Sequence, residues 1–394
     1  MRVDDIKKIA VLGAGAMGHG IAMVALLAGY NVVLRDIKQE FVDKGVKAMR
    51  EEFEKFYVAK GKLTEEELDK IMNEQLSTAV DMKDAASDID LSIEAVPEIM
   101  KIKKEVFSDL DKYAPKHAIL ASNTSMMSIT EIAKATNRPD KVVGMHWFNP
   151  PTRMQLVEVI KGEKTSEETM QVIYDLAKKL GKVPIRVEKD VTGFIVNRIA
   201  APSNVLFGAI LDKGEIEPEA VDALLMSVGQ PMGAYLLMDY VGLDISSETL
   251  KYCAETLSPD YKPSKVISDL ISKKQLGMKT GKGIYDWSNG RPQIDESKAA
   301  LAAEKFDPME PVAVQINEAV KLLEQDVVKN PDDIDTAVKL GLNMPMGPFE
   351  MLGMFEDLKG TLENLAKKYN KKIFEPTKTI KEGKLEEFLE SRRK

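Results

Sequence analysis

Cysteine is almost missing from this sequence: one residue, Cys253, among 394. That rules out an internal disulfide and fits a reducing compartment, where a lone thiol behaves as a small buried hydrophobe. Histidine is nearly as scarce, at three, and no group of Cys and His stands at ligand spacing, so no metal site is expected. A basic excess is lacking too, since 63 acidic against 55 basic side chains give a net charge of −8. Neutralising the phosphates of a nucleic acid needs the opposite sign, which argues against nucleic acid as a partner. No apolar run approaches the roughly 20 residues of a membrane crossing. The early stretch GIAMVALLAGY follows acidic residues and interrupted glycines, unlike a secretory leader. The expectation is a cytoplasmic enzyme or binding protein that needs no membrane.

What is present is an ordinary globular mixture, 44% hydrophobic and 30% charged, long enough for two or three domains. Short β-like runs, KKIAVLG, NVVLR, DLSIEAV, AILAS, KVVGMHW, QLVEVI and VPIRV, alternate with helical patterns such as residues 16–29 and 99–113. That alternation predicts a mostly parallel sheet covered on both faces, a doubly wound domain ending near residue 188. A long charged helical stretch from about Lys38 to Glu74 is expected to project as a hairpin.

Beyond Lys189 helical periodicity takes over. Shifting the chain by 113 residues lays NVLFGAILDKGEIEPEAVD (204–222) on NEAVKLLEQDVVKNPDDID (317–335), with QPMGAYLLM and MPMGPFEML just beyond. The fold class is therefore α/β: a Rossmann-type domain over 1–188, then two tandem all-helical domains over 189–290 and 291–394, the second repeating the first. The glycine-rich loop LGMKTGKGIYDWSNG bounds the first copy.

IAVLGAGAMGHG places Gly13, Gly15 and Gly18 after a strand and at the head of a helix, with Asp36 ending the next strand. In that context the spacing is a dinucleotide fingerprint. Gly13 permits the turn, Gly15 lets the backbone approach a pyrophosphate, and Gly18 packs helix on strand. Ala16 and Met17 lie in the helix start, whose free N–H groups face the phosphates. Asp36 would accept the ribose hydroxyls and repel a 2′-phosphate, favouring NAD over NADP, although Arg35 adjoins it. His19 should sit beside the phosphate helix.

SNTSMMSITE pairs Ser128 with Glu131 at capping-box spacing, starting a helix there and leaving Asn123, Thr124 and Ser125 in the loop after AILAS. Ligands of doubly wound sheets bind outside the carboxyl ends of strands, which puts Ser125 at the cofactor's reactive end. His146 ends the next strand. Glu158, in the middle of LVEVI, would carry a desolvation cost of several kcal/mol without a partner. A carboxylate that accepts an imidazole N–H fixes the tautomer and raises the base's proton affinity. The two together suggest an alcohol losing a proton to His146 and a hydride to NAD.

These residues resemble a known family. GAGAMG, SNTS, HWFNPP, LVEVI, DVTGFIVNR and the Pro-Met-Gly turn are similar, over nearly the whole chain, to the L-3-hydroxyacyl-CoA dehydrogenases of β-oxidation and short-chain acyl-CoA metabolism. The resemblance implies NAD-dependent oxidation of a 3-hydroxyacyl-CoA, with 3-hydroxybutyryl-CoA as the expected short-chain substrate. It implies a catalytic dyad of His146 and Glu158, with Ser125 and Asn197 holding the substrate's oxygens. Glu98, Lys103 and Asn123 would lie along the nicotinamide half of the cofactor, and Asn149 matches a further asparagine there. Lys55, Lys60 and Lys62 could meet the CoA phosphate, though a solvated lysine face would look the same.

The second helical copy departs from relatives in which a single helical domain pairs between subunits. Under the 113-residue shift Asn197 falls on Glu310, so this copy is expected to be structural. The chain would then be a monomer with an internal pseudo-dimer, or a homodimer. Tandem relatives are joined to an enoyl-CoA hydratase, a step expected here from a separate protein. Two rival readings are a dehydrogenase of a free hydroxy acid or sugar acid, which commonly works with a lysine base, and a non-catalytic NAD-binding protein.

Overall fold

The computed structural model describes residues 1–393. They divide into two compact units, one of Met1–Phe194 with Asp326–Lys329 and Thr336–Pro345, the other of Ile195–Gln325, Asn330–Asp335 and the chain from Met346.

The first unit is built on β1 (Lys8–Leu12), β2 (Asn31–Arg35), β3 (Leu76–Ala79), β4 (Leu91–Glu94), β5 (Ile119–Ser122), β6 (Val142–Trp147), β7 (Leu156–Ile160) and β8 (Val183–Val187). They form one eight-stranded sheet in the order β3-β2-β1-β4-β5-β6-β7-β8. Every pair is parallel except β6 with β7. All of β4 to β7 is buried, as helices on both faces require. Those helices are α1 (Ala16–Leu27), α2 (Gln39–Phe53), α3 (Glu65–Lys70), α4 (Met82–Ala86), α5 (Met100–Tyr113), α6 (Ile129–Ala133) and α7 (Glu167–Lys179).

The charged stretch after β2 is helical on both arms. Helices α2 and α3 each run on into a π-helical turn, Glu54–Val58 and Ile71–Gln75. Thr64 caps α3 by accepting the Glu67 N–H, and Glu67 returns a bond to the Thr64 N–H. Strand β3 is the element the apolar pattern does not reveal: LSTA is short, half polar, and pairs on one side only, with β2.

Winding reverses between β1 and β4, so the crevice of this sheet opens where those strands end. At the far side β7 runs antiparallel to β6 through the turn formed by residues 148–155, and the register sets His146 opposite Glu158. Directly opposed residues of an antiparallel pair project to the same face. The strand pairing alone therefore brings base and acid together.

The second unit is helical: α8 (Val196–Lys213), α9 (Pro218–Ser227), α10 (Ala234–Val241), α11 (Leu243–Thr256), α12 (Lys265–Ser272), α13 (Ala299–Ala303), α14 (Glu310–Glu324), the first turn of α15 (Pro331–Leu342), α16 (Leu358–Tyr369), α17 (Lys378–Lys381) and α18 (Leu385–Arg393). One device occurs twice in it. Asp222 of α9 accepts the N–H groups of Tyr235 and Leu236 at 2.9 and 2.8 Å, and Asp335 of α15 accepts that of Phe349 at 2.8 Å. The Pro-Met-Gly turns explain themselves here, because a Cβ on Gly233 or Gly347 would come within 2.2 or 2.3 Å of that aspartate. Helices α8 and α14 pack together around a buried Arg198–Glu318 ion pair.

Candidate active site

The turn after β1 is shaped for close backbone approach. Gly13 has φ +107°, and a Cβ there would stand 2.5 Å from the Ala95 carbonyl oxygen that follows β4. A Cβ on Gly18 would meet the Gly13 carbonyl at 1.7 Å, so helix and turn pack backbone to backbone. Gly15 faces open space, with nothing within 4 Å of an added Cβ, and as N-cap of α1 it brings no side chain to the helix start. The amides of Ala16 and Met17 lie in that first turn, where helical geometry supplies no partner. A pyrophosphate fits this opening.

Asp36 braces the turn, its Oδ2 accepting the Ala14 N–H and its Oδ1 the Ile37 N–H, both at 2.7 Å. Arg35 is turned to the Val80 carbonyl at 3.0 Å. His19 lies on α1 as expected, paired with Glu52 at 3.2 Å.

A second cluster joins the ends of β4 and β5. The Lys103 ammonium, 1% exposed, sits 2.7 Å from Glu94 Oε1 and 3.1 Å from Glu98 Oε2. Glu94 also accepts the Ser122 hydroxyl at 2.6 Å and the Val96 N–H at 2.8 Å. Glu98 Oε1 gathers the loop: the Thr124 hydroxyl at 2.6 Å, and from Ser125 the N–H at 2.9 Å and the hydroxyl at 3.2 Å. Burial would push the Glu98 carboxyl up, but the Lys103 ammonium and these donors together hold it below the usual carboxylate range. Ser128 begins α6 as its spacing indicates, accepting the Glu131 N–H at 3.2 Å.

Asn123 ties this loop to the next strand, its N–H donating to the Glu94 carbonyl and its Oδ1 accepting the Trp147 N–H, both at 2.8 Å. One residue before Trp147, His146 Nδ1 lies 2.5 Å from Glu158 Oε2. The pair is shut away from water, His146 being 5% and Glu158 0% exposed. Phe148 and Phe194 close over the imidazole with ring centroids at 4.5 and 5.8 Å. Phe194 takes φ +51°, in the left-handed region a bulky side chain rarely adopts, directly after Gly193 at φ +76°.

Asn149 stands exposed in the turn beyond His146. Asn197 belongs to the helical unit, in the first turn of α8. The first unit thus assembles His146 with Glu158, and Ser125 with Glu98 and Lys103, linked through Asn123. Lys55 and Lys60 lie 5.2 and 5.5 Å from the Phe56 ring, and Lys62 lies 5.7 Å from that of Tyr57. Among the described residues no group of three or more His, Cys, Asp or Glu could hold a metal, and no helix is long and apolar enough to cross a membrane.

Sequence reasoning passed over Glu94 and the two phenylalanines, and left Thr124 in the loop without a partner assigned to it. Glu94 was within reach: an acid in the apolar run LSIEAV raises the same desolvation objection that singles out Glu158. The aromatic lid gave no comparable signal.

Two family models match the chain: "3-hydroxyacyl-CoA dehydrogenase, NAD binding domain" over residues 8–191, and "3-hydroxyacyl-CoA dehydrogenase, C-terminal domain" over residues 193–287 and again over 312–390. The mitochondrial hydroxyacyl-coenzyme A dehydrogenase of Mus musculus is 41% identical over 290 residues, which are 72% of this chain and 91% of that protein. The fatty acid oxidation complex subunit alpha of Idiomarina loihiensis is 37% identical across 89% of this chain, which spans only about half, 51%, of that relative's length. The crystal structure of 3-hydroxybutyryl-CoA dehydrogenase from Escherichia coli K12 superposes with a TM-score of 0.87 at 28% identity, covering 97% of this chain and 99% of that one.

Proposed function

This chain belongs to the 3-hydroxyacyl-CoA dehydrogenase family, and from that membership we propose that it oxidises L-3-hydroxyacyl-CoA thioesters to 3-oxoacyl-CoA with NAD and catalyses the reverse reduction. The observation that carries the mechanism is the buried His146–Glu158 pair at the end of β6. With Nδ1 given to the carboxylate, Nε2 is the atom left to take the proton of the 3-hydroxyl, and to return it in reduction. Glu158 fixes that tautomer and stabilises the imidazolium as it forms. The shut-in setting strengthens this stabilisation, because little water competes. When bound, NAD supplies the acceptor for the hydride that leaves carbon 3.

Ser125, anchored by its amide on Glu98, turns its hydroxyl from that carboxylate to meet the 3-oxygen. Asn197 takes the thioester carbonyl. Gly13 to Gly18 and Asp36 hold the adenosine and pyrophosphate half of the cofactor, while Glu98, Lys103, Asn123 and Asn149 border its nicotinamide half. Similarity to a 3-hydroxybutyryl-CoA dehydrogenase over nearly the whole chain supports a short acyl group. Enoyl-CoA hydration is not a chemistry of this pair and falls to a separate catalytic unit. Cys253, free and buried, suits a reducing compartment such as the cytoplasm.

The same C-terminal-domain model matching the chain twice, over 193–287 and 312–390, supports the reading that the second copy stands where a partner subunit would. Sedimentation should then give a monomer; an obligate dimer would count against it. The substrate class is tested by NADH oxidation with acetoacetyl-CoA against free acetoacetate, followed by 3-oxoacyl thioesters of increasing length. The thioester should turn over and the free acid should not. Equal rates would instead support a hydroxy-acid dehydrogenase.

A further inference from the structure

Lys182 is an ammonium that the chemistry above does not use. It lies between α7 and β8 and donates to the carbonyls of Pro151 and Met154 at 2.6 and 2.9 Å, with its Nζ 5.5 Å from the centre of the Trp147 ring. All three partners belong to the segment that leaves His146 and carries Asn149. That turn also packs against the cofactor helix: a Cβ on Gly20 of α1 would press on Pro151 Cδ at 3.0 Å. Lys182 and α1 therefore both bear on one turn.

We propose that Lys182 is a positioning residue, a latch that holds the Asn149–Met154 turn beside His146 for the dehydrogenase reaction. The proposal rests on the reading of function given above. A compact ammonium with three donors suits two loop carbonyls, and charge makes each such bond roughly twice as strong as a neutral one. Carbonyls offset the cost of burying a cation less fully than a carboxylate would, and burial pushes Lys182 down to about 8. Loss of that proton weakens the hold on the turn.

The charged groups on the surrounding elements are engaged elsewhere. On α1, His19 pairs with Glu52; on α7, Glu168 pairs with the N-terminus, Asp175 accepts from Gln171, Lys178 lies over Tyr174 and Lys179 pairs with Asp4; on β6, His146 pairs with Glu158; in the turn, Arg153 stacks on Phe56; on β8, Arg186 pairs with Glu167 and Glu188. None of them forms an ion pair with Lys182.

The test is a pH titration of tryptophan fluorescence in the full chain, wild type against Lys182→Arg and Lys182→Met, with kcat and KM for acetoacetyl-CoA measured alongside. The Trp287 signal is common to all three proteins and cancels in the differences. Wild type should show a step near the Lys182 pKa of about 8, absent from both variants. In Lys182→Met kcat should fall about tenfold with a smaller change in KM, as a displaced active-site turn would cause. Lys182→Arg should keep its activity to higher pH than wild type. A fluorescence step that persists in the arginine variant, or a wild-type kcat in the methionine variant, overturns the latch. If the methionine variant does not fold, the arginine variant decides alone. A wild type that never turns over acetoacetyl-CoA contradicts the dehydrogenase reading and leaves the fluorescence test standing.

Discussion

The two units bury charge in different ways. In the sheet unit, ionic groups gather at the carboxyl ends of β4, β5 and β6, all of them buried but Glu98, and hold one another: Glu94 with Lys103, Lys103 with Glu98, His146 with Glu158. In the helical unit, buried acids hold the fold. Asp222 and Asp239 accept backbone amides of the segments they fasten, and Glu318 pairs with Arg198 across α8 and α14. The same physical oddity, a carboxylate out of water, thus lies in the proposed active site of one unit and fastens helices in the other. What separates them is place rather than kind of partner: the first set lies at strand ends beside the crevice and the second between helices, where Glu318 also pairs with Lys321 at 2.9 Å and Asp222 accepts the Tyr285 hydroxyl at 2.8 Å.

That contrast can be broken by substitution. Glu158→Gln should lower turnover by about 10³-fold while barely moving the melting temperature, because it removes the group that steadies the imidazolium. Steady-state rates beside a thermal melt decide this. Glu318→Gln should do the reverse, costing about 3–5 kcal/mol of stability by stranding the buried Arg198, with kcat of the folded fraction unchanged. Denaturant unfolding measures it, and Arg198→Met combined with Glu318→Met should recover most of the loss.

The repeated helical module offers a finer contrast. Asn197→Ala should raise KM for the thioester about tenfold, the worth of one hydrogen bond to substrate, whereas Glu310→Gln at the matching position of the second copy should leave KM alone. The smallest effect is a difference in pH slope. Burial raises the Asp222 carboxyl from 3.8 to about 6, so the folded helical unit holds a proton that the unfolded chain has lost. Its contribution is complete below the unfolded value and lost as pH rises through about 6. Glu98 is shifted the other way, so its contribution is present above its unfolded value and lost on acidification through its lowered folded value. Hydrogen exchange between pH 4 and 7 should show protection near Asp222 weakening as pH rises and protection near Glu98 strengthening; parallel trends would contradict the assignment of causes.

Much of this was legible in the chain. The glycine fingerprint, the strand runs and the isolated acid in LVEVI each violate or satisfy a local rule that one sequence displays. The sheet edge was not legible: β3 is too short and too polar for its alternation to stand out from loop. Nor was the antiparallel turn between β6 and β7. Twelve residues separate His146 from Glu158, but only the strand direction says that they share a face. The grip of Lys182 was equally hidden, since its acceptors are backbone carbonyls and no residue type announces those.

The central claim is that the imidazole at the end of β6 moves the substrate's proton. Its most direct test is His146→Gln, assayed for acetoacetyl-CoA turnover and, separately, for NADH binding by fluorescence. Turnover should fall by about 10³-fold or more, with the NADH dissociation constant nearly unchanged. A variant that still turns over within about tenfold of wild type would contradict the account.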